Sequence, residues 1–209
     1  MEDKVFKHGV FSKSRVETFS DGIFAIIVTL LILELKVPHI EHANSVSELL
    51  TAVAMLIPKF ASWVISFITI CIVWVNHHRL FEMFKGINIV LFWLNVNLLL
   101  CVCFVPFPTA LAGDYPGNPL AVAFYGLVMA LIGLAFFFIR LYGLRNMGLL
   151  KETVSLKAYK QSVFFALFFG FALYGFAAAS AWINTTLSLA MYFLIAIYFV
   201  FSFAIQRKD

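Results

Sequence analysis

The chain alternates between long apolar stretches and short polar joints. A helix needs about 20 apolar residues to cross roughly 30 Å of hydrocarbon. Six stretches meet that length: about 17–37, 50–80, 87–111, 119–143, 159–182 and 186–206. The joints carry helix-start chemistry. "SVSE", Ser45 to Glu48, reads as a capping box, in which both side chains accept free N–H groups of the first turn. It predicts a helix that begins above the membrane and continues through the second stretch, kinked at Pro58. "GNPL" offers Asn118 as N-cap with Pro119 at the first helical position, and "NTT" at Asn184 opens the last stretch.

Composition removes the soluble alternatives. Apolar residues make up 63% of the 209 and charged residues 12%, with a mean hydropathy of +0.96. Soluble domains are typically about 45–50% apolar and about 25% charged. The expectation is an all-α integral membrane protein, one six-helix domain over residues 1–209. The connections around 38–49 and 144–158 are too short to fold alone, and no internal repeat of the inverted-transporter kind is visible. Cys71, Cys101 and Cys103 all fall inside apolar runs, so neither a disulfide framework nor a zinc spacing is expected. The charged start "MEDKVFKHGVFSKSR" does not read as a signal peptide.

Charge then orients the spans. Lys4, Lys7, Lys13 and Arg15 precede the first, Arg79 and Lys85 follow the second, and Arg140, Arg145, Lys151, Lys157 and Lys160 surround the four-to-five connection. Arg207 and Lys208 follow the sixth; the other side keeps only Lys36 and Lys59. Thirteen of the fifteen Lys and Arg thus fall on one side, which places both termini in the cytoplasm. A multi-pass protein of a cell membrane, in a bacterial plasma membrane, is the expectation, with the lipid bilayer as partner and no nucleic acid.

Polar groups inside such spans mark functional sites by default. The first span holds Ser20 and Asp21, the second Ser62, Ser66, Thr69 and Asn76 in one stripe below Lys59, then His77 and His78, and the third Asn95 and Asn97. Arg15 lies six positions before Asp21, about 120° around the helix, so the two cannot form an i,i+4 pair. An inter-helix network of Asp21, Ser20, Arg15 and the Asn–His cluster is predicted to pin the first span to the second and third. Three roles remain open for it: glue between helices, a proton or ion site, or a metal-centred site. Adjacent histidines point about 100° apart, which suits a shared metal poorly. No Gly-x-Ser-x-Gly, His-Glu-x-x-His or phosphate-cradling loop occurs, so neither an enzyme, a cofactor nor a resident metal is expected.

Beyond Asp21, the residues Gly22, Ile26, Leu30, Leu33 and Val37 recur at helical spacing, with Thr29 beside Leu30. Periodicity allows lipid, a neighbouring helix or a pore, with lipid or helix contact the commoner fate of such a stripe. "RVETFSDG" carries an Arg-x-x-x-Phe-Ser-Asp signature, followed by "DGIFAIIVTLLILELKVP", "WVNHHRLF" and "PFPTAL". In these segments the chain resembles prokaryotic members of the transmembrane protein 175 family of potassium channels. The resemblance implies a homotetramer with four first helices around the axis and potassium ions in transit. It implies Ile26 as the main constriction, Leu30 and Leu33 as further apolar rings, and Thr29 as a source of hydroxyls for a partly dehydrated cation. Arg15, Phe19, Ser20 and Asp21 would then belong to a structural network around the pore helix, with Asn76, His77 and Asn97. No Thr-Val-Gly-Tyr-Gly segment occurs, so weak to moderate potassium selectivity would come from side chains rather than a carbonyl cage. The alternative is a proton-coupled secondary transporter that uses Asp21 with His77.

Overall fold

The computed structural model describes residues 12–205; Lys4, Lys7, Arg207 and Lys208 of the charge argument lie outside the described residues. The chain folds as α1 (Lys13–Leu30, continued by a 3-10 turn Leu31–Glu34), α2 (Val46–Met55), α3 (Ile57–Glu82), α4 (Ile89–Cys103) and α5 (Pro106–Asp114). Then come α6 (Pro119–Arg145), α7 (Leu156–Phe165), a π-helical segment Ala166–Ala172, α8 (Leu173–Ser180) and α9 (Thr185–Ile205). Five stretches are long and apolar enough to cross a membrane: Lys13–Glu34, Ile57–Glu82, Ile89–Asp114, Pro119–Arg145 and Leu156–Ser180. α9 is apolar as well, but over its described side chains, Thr185–Phe201, it is shorter than these five.

Two of the expected spans differ from the sequence reading, and proline explains both. Residues 50–56 do not belong to the second span. They sit in α2, which buries no residue and is separated from α3 at Leu56. Pro58 has no N–H to offer the Ala54 carbonyl and its ring crowds that turn, so the helix is interrupted at Leu56, whose backbone stays right-handed helical, at the place where the sequence predicts a kink. The third span is likewise interrupted at Phe104–Val105, ahead of Pro106. The Val102 carbonyl that Pro106 cannot serve accepts from Val105 N–H at 3.1 Å. Only half of the capping box forms: Ser45 Oγ accepts from Glu48 N–H at 3.3 Å. The Glu48 carboxylate turns to His42, accepting its backbone N–H at 3.0 Å and meeting its ring Nδ1 at 2.6 Å. Asn118 caps α6 as expected, accepting from Leu120 N–H at 2.9 Å, and Asn184 caps α9, accepting from Leu187 N–H at 3.1 Å.

α6 is the central post. It has the highest mean hydropathy of the five, 2.5, and 61% of its most apolar window is buried, against 22–33% for the others. Apolar faces alone do not hold helices together in lipid; close backbone approach and interhelical hydrogen bonds do. Small residues on α6 supply that approach. A Cβ on Gly133 would fall onto the backbone of Gly170, which lies in the π-helical segment. Gly126 makes room for Tyr192 of α9, whose hydroxyl donates to Val122 O at 3.1 Å. At one end, the connections after α3 and α6 form a short antiparallel bridge between Phe84 and Leu150. Lys85 N–H donates to Leu149 O at 2.8 Å and Lys151 N–H to Met83 O at 2.9 Å. That pairing gathers the ends of α3 and α6 and the start of α7 into one basic face. At the other end, Lys59 of α3 is paired with Asp114 of α5.

Candidate pore helix and its buttress

α1 has one face packed and one face open. Val16, Ser20, Phe24, Ile27 and Leu31 are buried against α3 and α4. Phe19, Gly22, Ile26 and Leu30 fall within an arc of about 80° at 100° per residue, and all four are exposed in the subunit. Ile26 is 58% exposed and Leu33, on the following turn, 66%. A Cβ added to Gly22 would meet nothing within 4 Å. Thr29 stands about 60° from Ile26. Its hydroxyl donates back to Ile26 O at 2.8 Å and Ala25 O at 3.1 Å, so the oxygen lone pairs remain free to face outward.

Behind the open face runs a chain of buried hydrogen bonds with a fixed direction. Ser20 Oγ donates to Val16 O at 2.8 Å, so toward Asn95 it can only accept, and Asn95 Nδ2 donates to it at 2.9 Å. The Asn95 amide therefore presents Oδ1 to His77, 2.8 Å from Nε2, which makes His77 Nε2 the protonated, donating nitrogen. The three residues are 0%, 0% and 1% exposed and come from α1, α4 and α3. Phe81 stacks on the His77 ring at 4.2 Å and Phe24 lies 5.4 Å away, which fixes the imidazole in place.

The structure also places expected network members elsewhere. Asp21 lies about 140° around α1 from Ile26 and accepts from Trp74 Nε1 at 2.8 Å, not from the Asn–His cluster. Trp74 stacks in turn on His78, with centroids 6.0 Å apart. Trp74 was the missed partner; a tryptophan N–H inside a span needs an acceptor, and that is the signal that points to it. Arg15 is exposed and has no ion-pair partner among the described residues. Asn97 is exposed, and its neighbour Asn95 makes the contact instead. Asn76 lines a cavity with Arg79 and Arg140 rather than reaching α1. Phe19 stands on the open face, 56% exposed. Ser66 and Thr69 turn inward, where Ser66 shares a 2.7 Å hydrogen bond with Thr109. No group of three or more His, Cys, Asp or Glu lies close enough to hold a metal ion among the described residues.

Comparison with known proteins bears on this arrangement. The family described as "Endosomal/lysosomal potassium channel TMEM175" matches residues 15–106, the segment that holds most of α1 and all of α2, α3 and α4. The chain is 37% identical to a Streptomyces collinus protein named potassium channel B446_29190, over 90% of this chain and 91% of that one. It is 37% identical to the potassium channel Cha6605_3372 of Chamaesiphon minutus, over 88% and 92% of the two chains. The crystal structure described as a lysosomal potassium-selective channel TMEM175 homolog from Chamaesiphon minutus superposes with a TM-score of 0.79 at 33% identity, covering 91% of this chain and 97% of that one. Full-length similarity of this order, with the matched segment carrying the open helix and its buttress, means that the chain belongs to the TMEM175 family of ion channels.

Proposed function

We propose that this protein is a potassium channel in which four subunits surround an axis and α1 turns its open stripe toward the ion path. The observation that carries the reading is the division of α1: a face locked by the Ser20–Asn95–His77 chain and a face of Gly22, Ile26, Leu30 and, on the following turn, Leu33 without a partner among the described residues. Thr29, with spare oxygen lone pairs beside that stripe, suits a cation shedding water better than it suits lipid. The Streptomyces and Chamaesiphon relatives are named potassium channels.

In this reading, Ile26 is the narrowest ring and Leu30 and Leu33 are further apolar rings. Such rings close a path by dewetting, with no plug required. Ile26 lies six residues, about 9 Å, along α1 from Ser20, so a movement of α3 or α4 reaches the ring through the buttress. Selectivity of weak to moderate degree follows from ring width and hydration cost. Both termini face the cytoplasm of a bacterial plasma membrane. Arg15 and Phe19 precede Ile26 on the exposed side of α1, and Asp21 stands off the stripe, held by Trp74.

A proton-conducting reading draws on the vertebrate relatives, named endosomal/lysosomal proton channels; the chain is 27% identical to that of Gallus gallus but covers only 37% of it. A proton-coupled carrier built on Asp21 and His77 would require the two to exchange partners, because one is bonded to Trp74 and the other to Asn95. Reversal potentials under crossed potassium and pH gradients separate these readings. Potassium flux from proteoliposomes tests the main one: Ile26→Asn should raise conductance and blur ion preference, and unchanged flux would contradict Ile26 as the constriction.

A further inference from the structure

Where α3, α6, the α7–π–α8 span and α9 meet near the basic face, they leave a cavity of about 420 Å³. Arg79, Arg140, Asn76 and Ser162 line one part of it, and Phe136, Phe165 and Phe169 form an aromatic wall. None of its lining residues among those described is acidic. Arg140 is the decisive member. Its Nε is buried without a hydrogen-bond partner, its guanidinium lies 5.3 Å over the Phe136 ring, and it forms no salt bridge among the described residues. Among the acids on this side, Glu17 pairs with Lys13 and Glu152 with Lys85, each at 3.3 Å, while Glu82 is exposed at the end of α3 and does not line the cavity. Arg140 is half-buried, and a cation drawn partly out of water without a counter-charge is unfavourable, which favours an anion in the cavity.

Depth and shape narrow the anion's class. α3 and α6 are 26 and 27 residues long, about 39–40 Å at 1.5 Å per residue, against a hydrocarbon core of about 30 Å. Their ends therefore reach the headgroup layer, and Arg79 and Arg140 lie within the last turn or two of each. Ala166 and Gly170, small residues of the π-helical segment, leave the space open. Phe165 and Tyr198 at the rim are exposed on the outside of the bundle, so an acyl chain has an apolar path to follow. We propose that this cavity binds a phosphate-bearing anion, and specifically the headgroup of an anionic phospholipid, with the Arg140 fork on phosphate oxygens and the chains along the aromatic wall. The inference rests on membrane embedding alone and is independent of what the channel conducts.

Protein stripped of co-purified lipid in neutral detergent is titrated with dioctanoyl phosphatidylglycerol, dioctanoyl phosphatidylcholine and inorganic phosphate, and thermal protection is read. Phosphatidylglycerol should protect saturably and phosphatidylcholine should not. Arg140→Gln should weaken the apparent affinity at least tenfold. Ser162→Phe, which fills the cavity without touching a charge and loses only a bond to its own helix at Tyr159 O, should do the same and decides the matter if Arg140→Gln does not fold. Lys160→Gln, an exposed charge of the same face, should leave affinity unchanged. Wild-type affinity in the folded variants would overturn the site, and equal protection by inorganic phosphate alone would overturn the lipid assignment.

Discussion

Replacing Asn95 by leucine removes both interhelical hydrogen bonds of the buttress at once, the 2.9 Å bond to Ser20 and the 2.8 Å bond to His77. The His77 Nε2–H then has no acceptor in a site that excludes water. Interhelical hydrogen bonds in membrane proteins average about 0.6 kcal/mol and reach about 1.7. A buried donor left unmatched costs about 1–3 kcal/mol. The expected loss is therefore about 1–3 kcal/mol, with unfolding in detergent, followed by tryptophan fluorescence, shifted down by about 2–12 °C for a chain of this size. Asn97→Leu provides the internal standard, because Asn97 is exposed and outside the chain of bonds; its effect should stay within about 0.5 kcal/mol. A double-mutant cycle between Asn95→Leu and Ser20→Ala should show coupling, since the two share one bond. Equal stability of Asn95→Leu and Asn97→Leu would refute the buttress.

Two further outcomes follow from the packing. Gly133→Ala places a methyl against the Gly170 backbone, where neither helix has a flexible side chain to move, and should cost about 1–3 kcal/mol by overpacking. Gly22→Ala, with open space around it, should be neutral to slightly stabilising in the same thermal assay. Trp74→Phe keeps a ring near His78 but deletes the donor to Asp21; a loss of about 1 kcal/mol is expected at this exposed hydrogen bond. Asp21→Asn, which keeps an acceptor for the indole, should lose less than Trp74→Phe, and the reverse order would show that the bond is not what holds Asp21.

Hydropathy made the spans legible because a lipid solvent demands uninterrupted apolar length, and the Asn118–Pro119 and Asn184 starts were legible because caps are local chemistry. The interruption at Pro58 was legible in the sequence, whereas the one ahead of Pro106 was not; at both, the intervening residues keep right-handed helical backbone. The buttress was half legible. Ser20 and His77 stood out as polar groups at matching depth, whereas Asn95 and Asn97 could not be told apart. They sit about 200° apart on α4, and when lipid and protein interior are equally apolar, hydropathy gives no sign of which face is buried. Trp74 was hidden for a related reason, since an indole counts as apolar until its N–H is assigned an acceptor. The Gly133–Gly170 approach and the π-helical turn beside it depend on two helices at once and have no single-segment signature.

The central claim is that the open stripe of α1 faces the ion path, and charged thiol modification tests it most directly. In a background with Cys71, Cys101 and Cys103 replaced by alanine, Ile26→Cys is treated with a cationic methanethiosulfonate reagent during potassium current recording. Phe164→Cys on α7, where the native side chain is 65% exposed on the subunit surface, serves as comparison. Loss of current is expected on modification at position 26 and none at position 164; full current after complete labelling of position 26 would contradict a pore-facing stripe.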